Sequence, residues 1–329
     1  MAAFFKQLKP FLRWFVLALT LAFLGHTLTK HWREVLMLRL TAKSLAGLGV
    51  ATGVTLLAHI WSGWVWYGIL KLVGAPGQSA EVVILYLKTN LAKYIPGNVW
   101  HFFGRVKTLE RWGASTDTAI VGVVLDPLLM AAAALGLTLL GGQNLAWWQF
   151  TAFAVAMVGV HPRILNPILR VLSRAKLKKA AGGSSGMSAS LQHYPLLPFL
   201  GGIVFVIGRG IGFLLAVNAL ESISSDLWLF VIGNFSLAWL LGLVVPGAPG
   251  GLGVFEATAL ALMTPTLSPA VVLGGVALYR LIGTIAEAIA AFTAWLDEGW
   301  NARFPATEQA NLGAGLPEAS SAPSSNTSG

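Results

Sequence analysis

The chain has 329 residues, of which 56% are hydrophobic and only 11% charged, with a net charge of +9 and no cysteine. A soluble domain carries about 25% charged residues, so this composition excludes an ordinary water-soluble fold and points to the bilayer. The missing thiol excludes disulfides, thiolate catalysis and cysteine metal sites, and the positive balance suits membrane orientation and anionic headgroups rather than nucleic acid.

In chain order, Lys6, Lys9 and Arg13 accompany an apolar run near 12–29. Lys30, His31 and Trp32 follow in place of a small-residue cleavage pattern, so the run reads as a retained first helix. Further apolar segments fall near 44–73, 79–100, 117–140, 145–161, 196–220, 227–246, 250–263 and 270–297. Together they predict an all-α polytopic membrane helix bundle of about seven or eight spans, in which two helices are broken or re-entrant. Trp61, Trp64 and Trp66, and later Trp147 and Trp148, suit interfacial belts.

The first predicted break lies in 79–104, which carries Lys88, Lys93, the pair Pro96-Gly97, His101 and Arg105. The second is the Gly/Pro-rich run Pro246 to Glu256, after which only a half-length apolar stretch remains. Such a backbone cannot stay helical. At membrane depth it must be buried in protein or line a wet cavity, which makes an ionisable residue beside it a candidate site.

Between His161 and Ala180 stand Arg163, Arg170, Arg174, Lys176, Lys178 and Lys179, with no acid, so the 161–180 loop is expected in the cytoplasm of a multi-pass protein of the cell membrane. The rule is tied elsewhere. A re-entrant 79–104 places the basic 30–43 loop outside, whereas a spanning one places the basic N-terminus there. Residues 182–190, which begin Gly-Gly-Ser-Ser-Gly, read as a flexible linker inside a membrane domain of 1–300. It divides that domain into possible repeat halves, 1–181 and 191–300. Each half has an Asn, a Pro-Gly break and a charge: Asn90, Pro96-Gly97 and Arg105, then Asn234, Pro246-Gly247 and Glu256. Residues 301–329, rich in Ser, Ala, Pro and Asn, are expected to form a disordered tail.

The run Pro-Gly-Gly-Leu-Gly-Val-Phe-Glu at 249–256, with Arg280 in the last long helix, resembles the transmembrane region of the lysylphosphatidylglycerol synthase family, also called the flippase-like family. An earlier match comprises Asn90, Tyr94, Pro96-Gly97, Gly104 and Arg105. The resemblance covers most of 10–297 and implies movement of a lipid across the bilayer. Members commonly have an acidic–Arg pair where this chain reads Leu125-Asp126-Pro127, and a basic cluster where it has only Lys71. The family's synthase activity belongs to a separate soluble domain. The short polar segment after residue 300 is no such domain, so the chain looks like the stand-alone membrane module, without lysyl transfer.

From these residues a polar cleft between the two breaks is expected to bind an anionic lipid headgroup. Gly250, Gly251 and Gly253 would let backbone approach a phosphate, Arg105 and Arg280 would contact it, and Glu256 would pair with an Arg or receive a cationic group. Asn90, Asp126 and Arg209 are further candidates. Arg105 reads equally as an orientation anchor, and Arg209 either as a phosphate contact or as a brace for Asp126. Glu287, seven residues after Arg280, reads as a structural brace, and His59 and His101 as isolated interfacial side chains. Metal-ligand spacing, a nucleophile elbow and a P-loop are missing from the sequence, so neither a metal nor a cofactor is expected, and transport would be passive or ion-coupled. Two alternatives stay open: an intramembrane lipid-modifying enzyme with Glu256 or Asp126 as base, and a non-catalytic partner of a lipid- or glycan-modifying enzyme. A homo-oligomer is equally open.

Overall fold

A computed structural model describes residues 41–94, 99–141, 147–167, 191, 193–245 and 251–303. The expectations for the 12–29 run, Pro96-Gly97, most of the basic loop, the 182–190 linker, Pro246–Gly250 and the tail beyond Arg303 lie outside the described residues. Within them the protein is all-α. Its principal helices are α1 (Ala42–Leu72), α2 (Ser79–Asn90), α3 (Trp100–Arg111), α4 (Thr116–Gly141), α5 (Trp147–Gly159), α6 (Leu196–Asn218), α7 (Trp228–Val244), α8 (Val254–Met263) and α9 (Pro269–Arg303). The last of these runs three residues into the segment read as a tail.

Five of the described helices are long and apolar enough to cross a membrane: α1, α4, α6, α7 with the short 3-10 turn that precedes it, and α9. Five candidate spans thus stand among the described residues against the seven or eight expected, and the expected 12–29 span lies outside them. The 145–161 segment yields only the 13-residue α5. At about 1.5 Å per residue that is roughly 20 Å, short of the roughly 30 Å hydrocarbon core.

The 79–104 segment is broken, and its two legs return on themselves. Helix α2 continues as a 3-10 turn, Leu91–Tyr94, and α3 restarts at Trp100. A Cβ built on Gly77, just before α2, would sit 2.9 Å from the ring of Trp112, just after α3, while Gly104 faces the methyl of Thr89. The Gly77 and Trp112 ends of the two legs therefore meet, and α2 and α3 lie side by side. These ends are polar: Glu81 caps α2 through the Gln78 N–H, and Lys107 pairs with Glu110 at 2.8 Å. Each leg is 12 residues, roughly 18 Å, so neither can span.

Close helix approach organises the rest. Helices α1 and α6 run antiparallel, with Gly201 and Gly208 of α6 against Val65 and Ala58 of α1. Trp66 donates to the Gly122 carbonyl of α4 at 3.0 Å, and Trp61 to the Gly201 carbonyl at 2.9 Å. Gly141 of α4 and Gly233 of α7 touch backbone to backbone, and a Cβ on either would collide with the other. Helix α8 folds back on α7, and Phe213, Phe235, Phe255 and Tyr279 pack ring on ring at 5.3–6.1 Å, tying α6, α7, α8 and α9 into one core.

Candidate functional site

The tip of the α2–α3 hairpin, the second break and the middle of α9 converge on a cavity of about 370 Å³. Its wall takes His59 from α1, Asn90, Lys93 and Tyr94 from the first tip, His101 and Arg105 from α3, and Asp126 from α4. Arg209 of α6, Trp239 of α7, Gly251 of the second break, and Tyr279, Arg280 and Glu287 of α9 complete the polar and aromatic lining.

Three ionic clusters surround it. In the first, Arg105 places Nη1 3.3 Å from Asp126 Oδ2, donates from Nε to Thr89 Oγ1 at 3.0 Å, and lies over the ring of Tyr86 at 3.8 Å and that of Trp66 at 5.1 Å. The residue is 1% exposed, so it fastens α3 to α2 and α4 from inside. Asp126 precedes Pro127, which has no N–H to give the preceding turn of α4.

In the second cluster, Lys93 and His59 converge on one oxygen, Oε1 of Glu287, with His59 Nε2 3.1 Å from it. Three separate elements, α1, the first tip and α9, thus share one buried carboxylate. The third cluster closes the second break. Glu256 accepts from its own helix's Gly253 N–H at 2.6 Å and from Arg280 Nε at 2.7 Å, while Arg280 Nη2 donates to the Gly251 carbonyl at 3.0 Å. Gly251 and Gly253 have φ of +72° and +84°, the left-handed region in which only glycine is unstrained.

Arg209 differs from the other cations. Its Nε donates to the Tyr279 hydroxyl, and its guanidinium lies over the rings of Phe205 and Tyr279. Its Nη1 is 3.4 Å from His59 Nε2. The same nitrogen also faces Glu287 Oε1 at 3.1 Å. Among the described residues Arg209 has no carboxylate partner.

The candidates chosen from sequence are thus placed as follows. Asn90, Arg105, Asp126, Arg209, Gly251 and Arg280 line one cavity, and Glu256 and Gly253 stand behind Arg280. Gly250 is outside the described residues. The Gly253 N–H is engaged by Glu256, so it is not free for a phosphate. Asp126 is braced by Arg105 and not by Arg209, and Arg105 is a buried contact rather than a surface anchor. Two readings need correction. His59 is 2% exposed and bonded to Glu287, and His101 is 8% exposed with its ring 3.8 Å from that of Phe102, so neither is an interfacial side chain. Sequence reasoning missed Lys93 and His59 as parts of the site and took Glu287 for a brace alone. The available signal was that all three are polar groups within apolar segments.

Four buried side-chain atoms have no hydrogen-bond partner among the described residues, and three belong to this wall: Asp126 Oδ1, Glu287 Oε2 and His101 Nδ1. No group of three or more His, Asp or Glu converges to hold a metal ion among the described residues. No protein-family model matches the chain, and neither does any curated protein.

Proposed function

We propose that this multi-pass membrane protein binds the phosphate-bearing headgroup of a membrane lipid in the cavity between its two broken helices and moves it across the bilayer. The observation that carries the reading is Arg209, a cation on the cavity wall without a carboxylate partner among the described residues. The wall bears four cations, Lys93, Arg105, Arg209 and Arg280, against two carboxylates, Asp126 and Glu287, with Glu256 behind Arg280. An anion completes that balance, and a guanidinium is suited to hold a phosphate by paired N–H donors.

The rim favours a lipid over a free ion. Val124 and Leu128 of α4 and Val244 of α7 line the same cavity, yet are 45%, 41% and 61% exposed. Apolar side chains open to the outside beside a charged interior accommodate an acyl chain and a headgroup together. The resemblance of residues 249–256 and Arg280 to the flippase-like family belongs to the same reading, which includes the cell membrane as location and a cytoplasmic 161–180 loop. The enzyme alternative has weaker support, because both proposed bases, Asp126 and Glu256, are held by arginines.

Proteoliposomes that carry a fluorescent phospholipid, quenched from outside, test the proposal. The wild type is expected to expose more than the outer-leaflet share of the label. Arg209→Gln should slow this about ten-fold or more, as loss of a charged hydrogen bond of roughly 1.5–3 kcal/mol implies. Wild-type rates in folded Arg209→Gln and Arg280→Gln proteins would overturn it.

A further inference from the structure

We infer that the seam between α4 and α7 is the lateral portal of the cavity: the headgroup enters through it while the acyl chains stay outside, against an apolar stripe of α4. The inference rests on the lipid-binding reading and names the route that such a reading requires. The cavity holds about 370 Å³, near the low end of the roughly 300–1,000 Å³ of small-molecule sites, so it suits a headgroup and not a whole diacyl lipid. The chains gain nothing by following, because every methylene taken from hydrocarbon into a wet, charged site adds to the cost. A headgroup that moves while its chains remain in the bilayer needs a gap in the helix wall, and that gap must be apolar on its outer side.

At one end the seam is shut. Gly141, the last residue of α4, meets Gly233, near the start of α7, and a Cβ on Gly141 would stand 2.4 Å from both the Gly233 Cα and the Leu229 carbonyl oxygen. Toward the other end both helices border the cavity. Val124, Leu128 and Ala131 of α4 line it, spaced four and three apart and hence on one helical face. Val124 and Leu128 are also 45% and 41% exposed, and Val244, which lines the cavity from the end of α7, is 61% exposed. Each of the three therefore has one side on the cavity and one on the surroundings, which in a membrane are hydrocarbon. Asp126, two residues from both Val124 and Leu128, lines the same cavity and is buried, so the polar interior and the apolar stripe share about one turn of α4.

Another margin of the cavity reaches the surface at Tyr94, between the first tip and α9. That margin is fastened by polar contacts, because the Tyr94 hydroxyl meets Thr284 and Lys93 meets Glu287, both on α9. Among the described residues no side-chain hydrogen bond or ion pair joins α4 to α7, so their seam can widen without breaking one. Its open part lies toward the start of α4. Val124 and Leu128 stand about 12 and 18 Å along the axis from Thr116, against about 38 Å for Gly141. The portal therefore gives onto the leaflet at the α3–α4 turn, and the seam is closed to the opposite leaflet at Gly141 and Gly233.

The chain has no cysteine, so single thiols can be placed at will in the full-length protein. Val124→Cys, Leu128→Cys and Val244→Cys proteins are reconstituted in proteoliposomes with the fluorescent phospholipid, and its movement is followed before and after reaction with N-(1-pyrenyl)maleimide. Leu57→Cys and Val155→Cys serve as controls, since both positions are exposed and neither lines the cavity. Each protein before labelling is its own folded reference, and mass spectrometry confirms that the thiol has reacted. Pyrene at 124, 128 or 244 is expected to slow lipid movement about ten-fold or more by filling the gap, and pyrene at 57 or 155 to change it less than about two-fold. Unchanged rates after labelling at all three seam positions, or an equal loss at the controls, overturn the portal. The lipid reading survives that result if Arg209→Gln still slows the wild-type movement. Absence of lipid movement by the wild type sinks that reading and the portal with it.

Discussion

The two breaks use the same chemistry, an arginine on a carboxylate, in opposite settings. At the first, Arg105 and Asp126 have side chains only 2% and 5% exposed, and aromatic rings cover the guanidinium. At the second, Arg280 and Glu256 are 28% and 12% exposed, and the arginine also holds the Gly251 carbonyl beside the cavity. Desolvation decides what each can do. A sealed pair is costly to split, because the remaining charge has nowhere to go, whereas a pair open to the cavity can exchange its partner for a ligand. On the proposed function, the first break holds the α2–α3 hairpin and the second is the one able to exchange its partner for a ligand.

The largest expected effect is on the sealed pair. Arg105→Gln leaves Asp126 charged and buried and should destabilise the protein by about 3–5 kcal/mol, seen as a marked fall in melting temperature in detergent. Adding Asp126→Asn should recover part of that loss, because the two act as a unit. An unchanged melting temperature for Arg105→Gln would remove the distinction between the breaks.

A smaller contrast concerns the backbone. At the second break a Cβ on Gly251 would meet the Gly242 Cα and carbonyl oxygen at 3.0 Å, at a φ of +72°. Gly251→Ala should therefore cost about 1–3 kcal/mol. In the first hairpin a Cβ on Gly104 would meet only a methyl of Thr89 at 3.4 Å, so Gly104→Ala should stay within about 0.5 kcal/mol of wild type. Equal melting temperatures for the two variants would show that the second break tolerates rearrangement.

The smallest stability effect is expected for Arg280→Gln, about 1 kcal/mol or less, since its pair is partly exposed. Its consequence should appear instead in lipid movement, and Arg280→Gln with Glu256→Gln should lose less than the sum of the two single losses. Loss of expression from Arg280→Gln alone would make the second pair a brace like the first.

Residence in the membrane, helical architecture and the position of the first break were legible without coordinates, because each depends on short-range chemistry. An apolar run needs about 20 residues to cross, and a close cluster of proline and glycine weakens a helix locally. The same local logic marked Arg105, Asp126, Glu256 and Arg280 as expensive in apolar surroundings. Pairing is not local. His59 and Glu287 stand 228 residues apart in sequence and Lys93 and Glu287 194 apart, yet they share one carboxylate oxygen. Periodicity along one helix could place Glu287 on the Arg280 face but could not say which helices would cover it. Only the tertiary packing decided that His59 would be buried, that Arg105 would take Asp126, and that Arg209 would have no carboxylate partner among the described residues. These outcomes follow from which side chains the long-range helix contacts bring within a few ångströms, and electrostatic partners in a low-dielectric interior are set by that distance alone.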